Sequence, residues 1–595
     1  MHNRRRSESA KDFKGTIKKL LQYSKSLVVL IVISLFLAFI SNVLAIIGPD
    51  KLKDITNIIK DSFLTGIDLD AVKSIGILLI IIYAISAICG YFEGFIMTIV
   101  TNRFQKTIRG DISRKINHLP LSYFDNTTVG DILSRVTNDV DTIGFTMTQS
   151  LSSIVSSLTL ILGSVIMMFY TNWLLAITAI LSTIVGLVFV VVIIMKSQKY
   201  FNKVQSSLGE MNGHIEEVFS GHNVIKAYNA EDETNKRFDE VNNELFVNGR
   251  KSQFISSLMH PLMGFTGNFG FVIVCVVGSI LVMNETIDFG VIVAFMMYIK
   301  FFTRPLMQIA QSFGGLQSAA AASERVFEFL DANEMDDEKN NTDSLSKEDA
   351  KGNLVFSHVH FGYNDDKVII NDFNASIKAG SKVAIVGPTG AGKTTIVNLL
   401  MKFYNIQNGD ITIDGHSIKN LKRSNVHDLF TMVLQDTWVY EGTIKDNIRY
   451  NNKNVKDEEI FAACKMVGLD HFIKTLPNGY DTVLNDSVGL SAGEQQLLTI
   501  ARAMINKTPY LILDEATSNV DTRTEELVQK AMDKLSSGKT SFIIAHRLST
   551  IRNADLILVM NNGDIIEQGK HEELLKKKGF YADLYNSQFQ DTLKH

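Results

Sequence analysis

The chain has 595 residues, a formal net charge of -4 and 46% hydrophobic residues. This length accommodates several domains, and the net charge gives no basic footprint, so nucleic acid is not expected as a partner. Cys89, Cys275 and Cys464 provide neither a disulfide framework nor metal-ligand spacing, and we expect them to be packing residues.

Six long apolar segments occupy the first half of the chain. A helix needs about 20 predominantly apolar residues to cross a bilayer, and a soluble fold rarely contains six core helices of that length. The segments lie near residues 26–47, 72–100, 145–170, 173–195, 254–283 and 288–312. The sequence therefore predicts an α-helical transmembrane domain over residues 1–330.

Basic residues precede the first span and follow the second and fourth, whereas the connections at 171–172 and 284–288 are short or acidic. Because basic loops remain in the cytoplasm, we expect both termini there and the spans in the cell inner membrane. The basic start at residues 4–6 precedes an apolar stretch too long for a cleavable signal peptide. Residues 101–144 and 196–253 keep helical apolar spacing and predict helices that project into the cytoplasm.

An amphipathic helix is predicted before the first span, from Phe13 to Leu21, lying on the inner membrane surface; a solvated terminus is the alternative. Glu93 is the only acidic residue that lies well inside a predicted span, and ionisable residues within a membrane often have a role in transport. It could face a translocation cavity, lie near the leaflet edge or pair with another helix. Arg304 and Pro305 predict an interfacial anchor and a kink.

Residues 331–352 are acidic, rich in lysine and almost free of aromatic residues, which is typical of a solvated linker. Beyond it, residues 353–595 predict a cytoplasmic α/β domain. Residues 354–362 and 368–386 alternate apolar and polar side chains like antiparallel strands. A helix is predicted from Gln496 to Ile505.

Residues 387–394, Gly-Pro-Thr-Gly-Ala-Gly-Lys-Thr, match the pattern G-x-x-x-x-G-K-[ST] and follow an apolar strand. In such a loop, backbone N–H groups cradle the phosphates of ATP, Lys393 reaches the β and γ phosphates and the Thr394 hydroxyl binds Mg²⁺. A glycine turn in a core is the alternative. The candidate nucleotide-binding residues here are Gly387, Thr389, Gly390, Gly392, Lys393, Thr394 and Thr395.

A second motif, Tyr510 to Glu515, is an apolar strand that ends in two acids. A buried parallel strand brings its carboxyl end to the ligand. We therefore expect Asp514 to hold Mg²⁺ through water and Glu515 to act as the general base.

Together these motifs make the chain resemble the ATP-binding cassette (ABC) exporters: a P-loop ATPase domain fused to six spans. The resemblance implies that Tyr363 stacks on adenine, that Gln435 senses Mg²⁺, and that His546 is the switch histidine. Ser491 and Gly493, in the signature segment 490–494, would clasp the γ-phosphate held by the other subunit. Further matching segments are 518–521 at the dimer interface, and 119–125 and 130–135 upstream.

The signature departs from the usual Leu-Ser-Gly-Gly-Gln, because Ala492 and Glu494 replace a glycine and the glutamine. A carboxylate about 8 Å from the triphosphate costs roughly 1 kcal/mol at an intermediate dielectric. The extra methyl group also crowds a close backbone approach. Both changes predict a weakened site, and residues 484–488 lack the usual Gly-Glu-Arg-Gly run.

One ATPase domain with six spans makes half a transporter, so the resemblance implies a second half-transporter as partner. We expect ATP-driven export of amphipathic or hydrophobic drugs, lipids or peptides, with membrane lipid around the spans. The altered signature beside an intact Glu515 favours the competent subunit of a heterodimer. The alternatives are a homodimeric lipid or drug flippase and an ATP-gated channel or regulator.

Overall fold

The computed structural model describes residues 12–63, 66–364, 367–435, 437–485, 489–514, 522–544 and 551–589. The chain divides into two compact units. The first comprises residues up to Asn117 and from Val129 to Ala332. The second comprises His118–Thr128 and the residues from Asn333 onward.

The first unit is helical. Its helices are α1 (Phe13–Tyr23), α2 (Val28–Asp61), α3 (Leu69–His118), α5 (Val129–Ser134), α6 (Val140–Thr146), α7 (Ser152–Thr171), α8 (Trp173–Ser220), α9 (His222–Tyr228), α10 (Glu231–Ser257), α11 (Met259–Met283) and α12 (Phe289–Leu330), while α4 (Leu121–Asp125) belongs to the second unit. Short π-helical turns at Arg135–Asp139 and Met147–Leu151 make α5 to α7 one continuous helical run.

Within the described residues, six helical runs are long and apolar enough to cross a membrane, which confirms the six predicted spans. They are Lys25–Asp61, Leu69–His118, Val129–Thr171, Trp173–Ser220, Gly264–Met283 and Phe289–Leu330. The 50 residues of α3 extend about 75 Å at 1.5 Å per residue, which exceeds a hydrocarbon core of about 30 Å. The long helical extensions predicted beyond the spans are therefore present.

Packing in the first unit combines an apolar core with polar contacts between helices. Phe295 and Tyr298 of α12 are fully buried among side chains of α2, α7, α8 and α11. Ser41 of α2 and Ser86 of α3 each donate a hydrogen bond to the other's carbonyl oxygen at 2.9 Å. Such hydroxyl contacts hold helices together where lipid provides no hydrophobic driving force.

Glu93 pairs with another helix, one of the three alternatives open from the sequence. The Ser152 hydroxyl at the start of α7 donates a hydrogen bond to the Glu93 carboxylate. Ser34 of α2 donates to the Glu93 carbonyl oxygen at 3.1 Å. Glu93 thus joins three helices.

Helix α12 runs through Pro305, which is buried, whereas Arg304 is exposed.

The second unit contains two main sheets. Its strands are β1 (Leu354–Phe361), β2 (Ile370–Ile377), β3 (Lys382–Val386), β4 (Asn408–Ile413), β5 (His416–Ser417), β6 (Phe430–Val433), β7 (Gly442–Thr443), β8 (Val483–Leu484), β9 (Tyr510–Asp514), β10 (Thr540–Ile544), β11 (Leu556–Asn561) and β12 (Asp564–Gly569). One sheet is antiparallel with the order β2-β1-β4-β5. The other has the order β12-β11-β3-β10-β9-β6 and is parallel except for β12 at its edge.

The second unit contains further helices besides α4. They are α13 (Lys393–Leu400), α14 (Arg423–Leu429), α15 (Ile444–Arg449), α16 (Asp457–Val467), α17 (Asp470–Thr475), α18 (Ala492–Met504), α19 (Thr522–Ser536), α20 (His571–Lys577) and α21 (Phe580–Phe589). One core lies around β1, β2, β4 and α13, and a second is formed largely by α15 to α19. The helix predicted from Gln496 begins earlier because Ser491 caps α18.

The prediction that residues 368–386 resemble antiparallel strands is wrong in its second half. The chain leaves β2 at Ile377, turns at Gly380 with φ 72°, and enters the other sheet as β3. There β3 runs parallel to both β10 and β11. The short apolar run 383–386 is a buried parallel strand, whose continuous hydrophobicity does not reveal its pairing.

Most residues of the predicted solvated linker 331–352 are exposed, but its part from Asn333 onward belongs to the second unit and is anchored there. Leu345 is 5% exposed and belongs to its core. Glu338 forms ion pairs with Lys402 at 3.0 Å and Arg423 at 3.1 Å. Burial opposes ionisation of Glu338, but its partners outweigh this and hold the pKa below its ordinary value. Composition alone did not reveal these anchoring contacts.

Candidate nucleotide site

The parallel sheet brings several predicted site residues to one edge. Strand β10 lies between β3 and β9, with Ile544 opposite both Ile385 and Asp514. Strand β6 lies beside β9. Three parts of the predicted site therefore lie at the carboxyl ends of parallel strands. They are the loop after β3, Asp514 as the last residue of β9, and the segment after β6 that contains Gln435. Ligands of α/β sheets bind at this edge.

The loop between β3 and α13 requires glycine at defined positions. Gly390 and Gly392 have φ of 85° and 97°, in the left-handed region that favours glycine. A Cβ at Gly387 would lie 2.3 Å from the Met560 carbonyl oxygen. The loop then enters α13 at Lys393, so its backbone leads into a helix N-terminus, where anions are favoured.

Lys393 is folded across this loop. Its ammonium group donates to the carbonyl oxygens of Gly387 at 2.8 Å and Pro388 at 3.0 Å, and the residue is 8% exposed. Burial lowers the pKa of Lys393, while the negative charge of Asp514 acts in the opposite direction. The two carbonyl oxygens are neutral acceptors for the Lys393 ammonium group, whereas a phosphate would be a negatively charged and therefore stronger one.

Oxygen ligands suitable for Mg²⁺ occur at the same edge. Thr394 and Gln435 are exposed, and Asp514 is partly buried at the end of β9. Within the described ranges, no group of three or more His, Cys, Asp or Glu residues could hold a metal by itself. One carboxylate, a hydroxyl, waters and the phosphates of a nucleotide would be a suitable ligand set for Mg²⁺.

Tyr363 lies beside α13 and is 40% exposed. Its hydroxyl is 3.2 Å from the Thr395 hydroxyl and accepts from the Asn398 amide at 3.2 Å. Thr395 is buried, so its hydroxyl positions Tyr363, whereas Thr389 is exposed in the loop. The structure thus attaches Tyr363, the residue predicted to stack on adenine, to the helix that follows the phosphate loop.

The signature segment begins α18. Ser491 is the N-cap, and the Glu494 carboxylate accepts from both its backbone N–H at 2.8 Å and its hydroxyl at 2.7 Å. This reciprocal arrangement is a capping box, in which either Glu or Gln serves at the fourth position. Gly493 is buried within the same turn. Gln495 accepts from Thr437 at 3.1 Å, which connects α18 to the segment after β6.

Other predicted residues lie outside the described ranges: Glu515 and residues 518–521, which follow β9, and His546, which follows β10. Residues 486–488 of the segment before the signature are outside as well.

Comparison with protein families agrees with this architecture. The family model described as the ABC transporter transmembrane region matches residues 31–306, and the one described as ABC transporter matches residues 370–518. The chain belongs to the ABC transporter family. It is an exporter half-transporter, in which ATP hydrolysis by a cytoplasmic domain is coupled to transport through the membrane.

Curated ABC relatives match over most of their length. A fatty acid ABC transporter ATP-binding/permease protein of Mycobacterium bovis is 42% identical over 87% of this chain and 82% of its own. An uncharacterised ABC transporter ATP-binding protein of Bacillus subtilis is 38% identical over 98% and 95%. An ATP-dependent lipid A-core flippase of Syntrophus aciditrophicus is 32% identical over 88% and 86%.

Two residues near the nucleotide site escaped sequence reasoning in this role. Tyr404 contacts the Tyr363 ring, with centroids 5.0 Å apart, and donates to Asp125 at 2.6 Å. Asp125 lies in a segment that resembles the family, but Tyr404 follows α13 in an ordinary turn. The sequence feature that could have indicated Tyr404 is its position as an aromatic residue shortly after the phosphate-loop helix. Its role becomes visible only from its contact with the Tyr363 ring.

Proposed function

We propose that this exporter moves amphipathic or hydrophobic molecules, lipids above all, outward across the inner membrane, with both termini in the cytoplasm. The supporting observation is a phosphate-binding loop in the same chain as six apolar helical runs that are long enough to cross a membrane. The relatives named for fatty acids and lipid A-core carry substrates of this chemistry. Drugs and hydrophobic peptides share it.

In the proposed site, Tyr363 stacks on adenine, and the loop from Gly387 to Gly392 with Lys393 binds the phosphates. Thr394, Gln435 and Asp514 would hold Mg²⁺, Asp514 through water, and the ion would supply positive charge to neutralise phosphate oxygens. Glu515 takes a proton from the attacking water and His546 acts as the switch histidine. Thr389 and Thr395 flank the phosphates and their loop.

ATP binding closes two such domains against each other, with Ser491 and Gly493 clasping the γ-phosphate of the partner's nucleotide. Segments 119–130 and 213–224 carry closure to the membrane helices, and hydrolysis resets the cycle. The ligand drives this change by binding one of two states more tightly.

Transport is tested in inside-out vesicles that contain the purified chain with its partner. A fluorescent fatty acid or phospholipid should accumulate only with ATP and Mg²⁺, and vesicles with Glu515→Gln should not accumulate it. A conductance that ATP opens, without accumulation against a gradient, would instead support an ATP-gated channel.

A heterodimer is favoured by the bond between Glu494 and Ser491. The carboxylate occupies the N–H and hydroxyl donors that are proposed to clasp the γ-phosphate, so two anions compete for the same groups. A signature weakened in this way serves a site that holds ATP more than it hydrolyses it. The partner's regular signature would then complete the active site built on Lys393, Asp514 and Glu515.

Replacing Glu494 with glutamine should strengthen this signature. Glutamine retains the capping box but removes the charge, so the ATP concentration for half-maximal ATPase of the assembled dimer should fall roughly fivefold, the equivalent of about 1 kcal/mol. Glu573→Gln is the matched control, because Glu573 caps α20 through the Lys570 N–H at 3.1 Å. If both variants match the unchanged protein, Glu494 does not weaken the site.

Glu93 supports a prediction about cargo. If its carboxylate selects cationic substrates, Glu93→Gln should reduce transport of cationic compounds more than of neutral ones and leave basal ATPase unchanged. Glutamine can still accept a hydrogen bond from Ser152. Ser152→Ala keeps the charge and removes that bond, so it separates the two effects. Equal loss for both substrate classes in Glu93→Gln would indicate a structural joint between helices.

A further inference from the structure

Three aromatic rings form a closed cluster beside the phosphate-loop helix. Tyr363 meets Phe361 at 82° and Tyr404 at 89°, each with centroids 5.0 Å apart, and Phe361 meets Tyr404 at 5.8 Å. Phe361 is 4% exposed and anchors the cluster at the end of β1. Edge-to-face contacts of this kind are directional, so the two neighbours fix the plane of the Tyr363 ring.

The Tyr363 hydroxyl is fixed separately by Thr395 and Asn398 of α13. Removing Tyr404 would therefore leave the ring attached at its hydroxyl end and supported by Phe361 on one side only. Its position toward a stacked base would loosen while the phosphate loop kept its own contacts.

Tyr404 also connects this cluster to a distant part of the chain. Its hydroxyl donates to the Asp125 carboxylate at 2.6 Å, across 279 residues. Burial, together with the Asp125 carboxylate, raises the pKa of Tyr404 above its ordinary value, so the phenol keeps the proton that it donates. Asp125 is the last residue of α4, in the segment His118–Thr128 that belongs to the second unit.

The other end of that segment is tied to the same turn. The Met335 N–H donates to the His118 carbonyl oxygen at 2.9 Å. Asp336, the next residue, accepts from the Asn405 amide at 2.9 Å, and Asn405 directly follows Tyr404. Tyr404 therefore contacts the segment His118–Thr128 directly, at Asp125. Asn405 reaches the His118 end of the same segment through Asp336 and Met335. This segment continues into α3 at one end and α5 at the other, both parts of membrane-crossing helical runs.

We propose that Tyr404 is a positioning residue that holds the Tyr363 ring in place for the adenine base and, through Asp125, transmits occupancy of the base site to the segment His118–Thr128. The proposal rests on the adenine role of Tyr363. The triphosphate alone would bind the loop without moving the ring cluster, so the base of the nucleotide carries this part of the signal.

Binding of ATP and of inorganic tripolyphosphate to the full chain in lipid nanodiscs, with EDTA to prevent hydrolysis, tests the ring contact. Tyr404→Leu should weaken ATP binding about 3- to 10-fold, the scale of one aromatic contact, and leave tripolyphosphate binding unchanged. Equal weakening of both ligands would mean general damage to the site and would overturn the proposal. If unchanged protein binds both ligands equally, the adenine role itself fails.

Tyr404→Phe tests the connection to Asp125. It keeps the ring, so ATP should bind within about twofold of the unchanged protein, but the ATP-induced change in amide hydrogen exchange at 118–128 should disappear. Asp125→Leu should have the same effect, and the double variant no more than either alone. Tyr480→Phe is the control, because Tyr480 donates to Asp470 at 2.7 Å in another part of the unit. A full ATP-induced change in Tyr404→Phe would overturn the transmission.

Discussion

Replacing Glu515 with glutamine is expected to lower ATP turnover by about 10²-fold or more, the scale of general-base removal. The amide keeps the shape of the side chain but cannot take the proton of the attacking water. ATP should still bind, because Lys393 and the loop before it are unchanged. The variant should therefore trap a closed dimer, measured as ATP-dependent crosslinking or retention of nucleotide alongside the ATPase rate.

Two further variants make this result interpretable. Lys393→Ala should weaken nucleotide binding itself, because it removes a cation that neutralises phosphate. Glu526→Gln removes a carboxylate from an exposed position of α19, where Glu526 is 70% exposed in its side chain, and should leave both binding and turnover unchanged. Near-normal hydrolysis in Glu515→Gln would exclude Glu515 as the base.

The membrane spans could be predicted from sequence because length and hydrophobicity alone determine whether a helix can cross a bilayer. The phosphate loop could be predicted because its glycines are required by backbone geometry: Gly390 and Gly392 adopt left-handed φ values. In both cases a local pattern specifies a local structure.

Pairing and anchoring depend on distant residues, and there the sequence failed. The run 383–386 gave no sign of joining β10 and β11, more than 150 residues later in the chain. Acidic composition suggested a solvated linker, yet Glu338 finds Lys402 and Arg423, and Leu345 enters the core. The bond from Tyr404 to Asp125 is of the same kind, because neither residue's neighbours in sequence indicate it.

The structure gives the Glu494 carboxylate a direct partner that the sequence did not predict. From sequence, the expected effect was repulsion of the triphosphate across about 8 Å. In the structure the carboxylate binds the Ser491 N–H and hydroxyl directly. A neutral glutamine could form the same capping box, so what Glu494 adds is a negative charge held directly against these donors.

The second large expected effect follows from the proposal that the two ATP sites of the dimer are unequal. In a heterodimer, the signature of this chain serves the partner's slow site, whereas its Lys393, Asp514 and Glu515 serve the fast one. Ser491→Arg replaces the hydroxyl with a long cation and should block only the slow site. Turnover should then fall by less than about tenfold, against about 10²-fold or more for Glu515→Gln.

Loss of the helix cap must be separated from loss of the clasp in this comparison. Ser491→Gly removes the hydroxyl but costs α18 only a few tenths of a kcal/mol as an N-cap, so it reports the hydroxyl alone. In a homodimer, Ser491→Arg and Glu515→Gln would each strike both sites and be similarly severe. Robust ATPase and transport from the chain purified alone would likewise reject the heterodimer, because every active site would then contain Glu494 in its signature and still turn over.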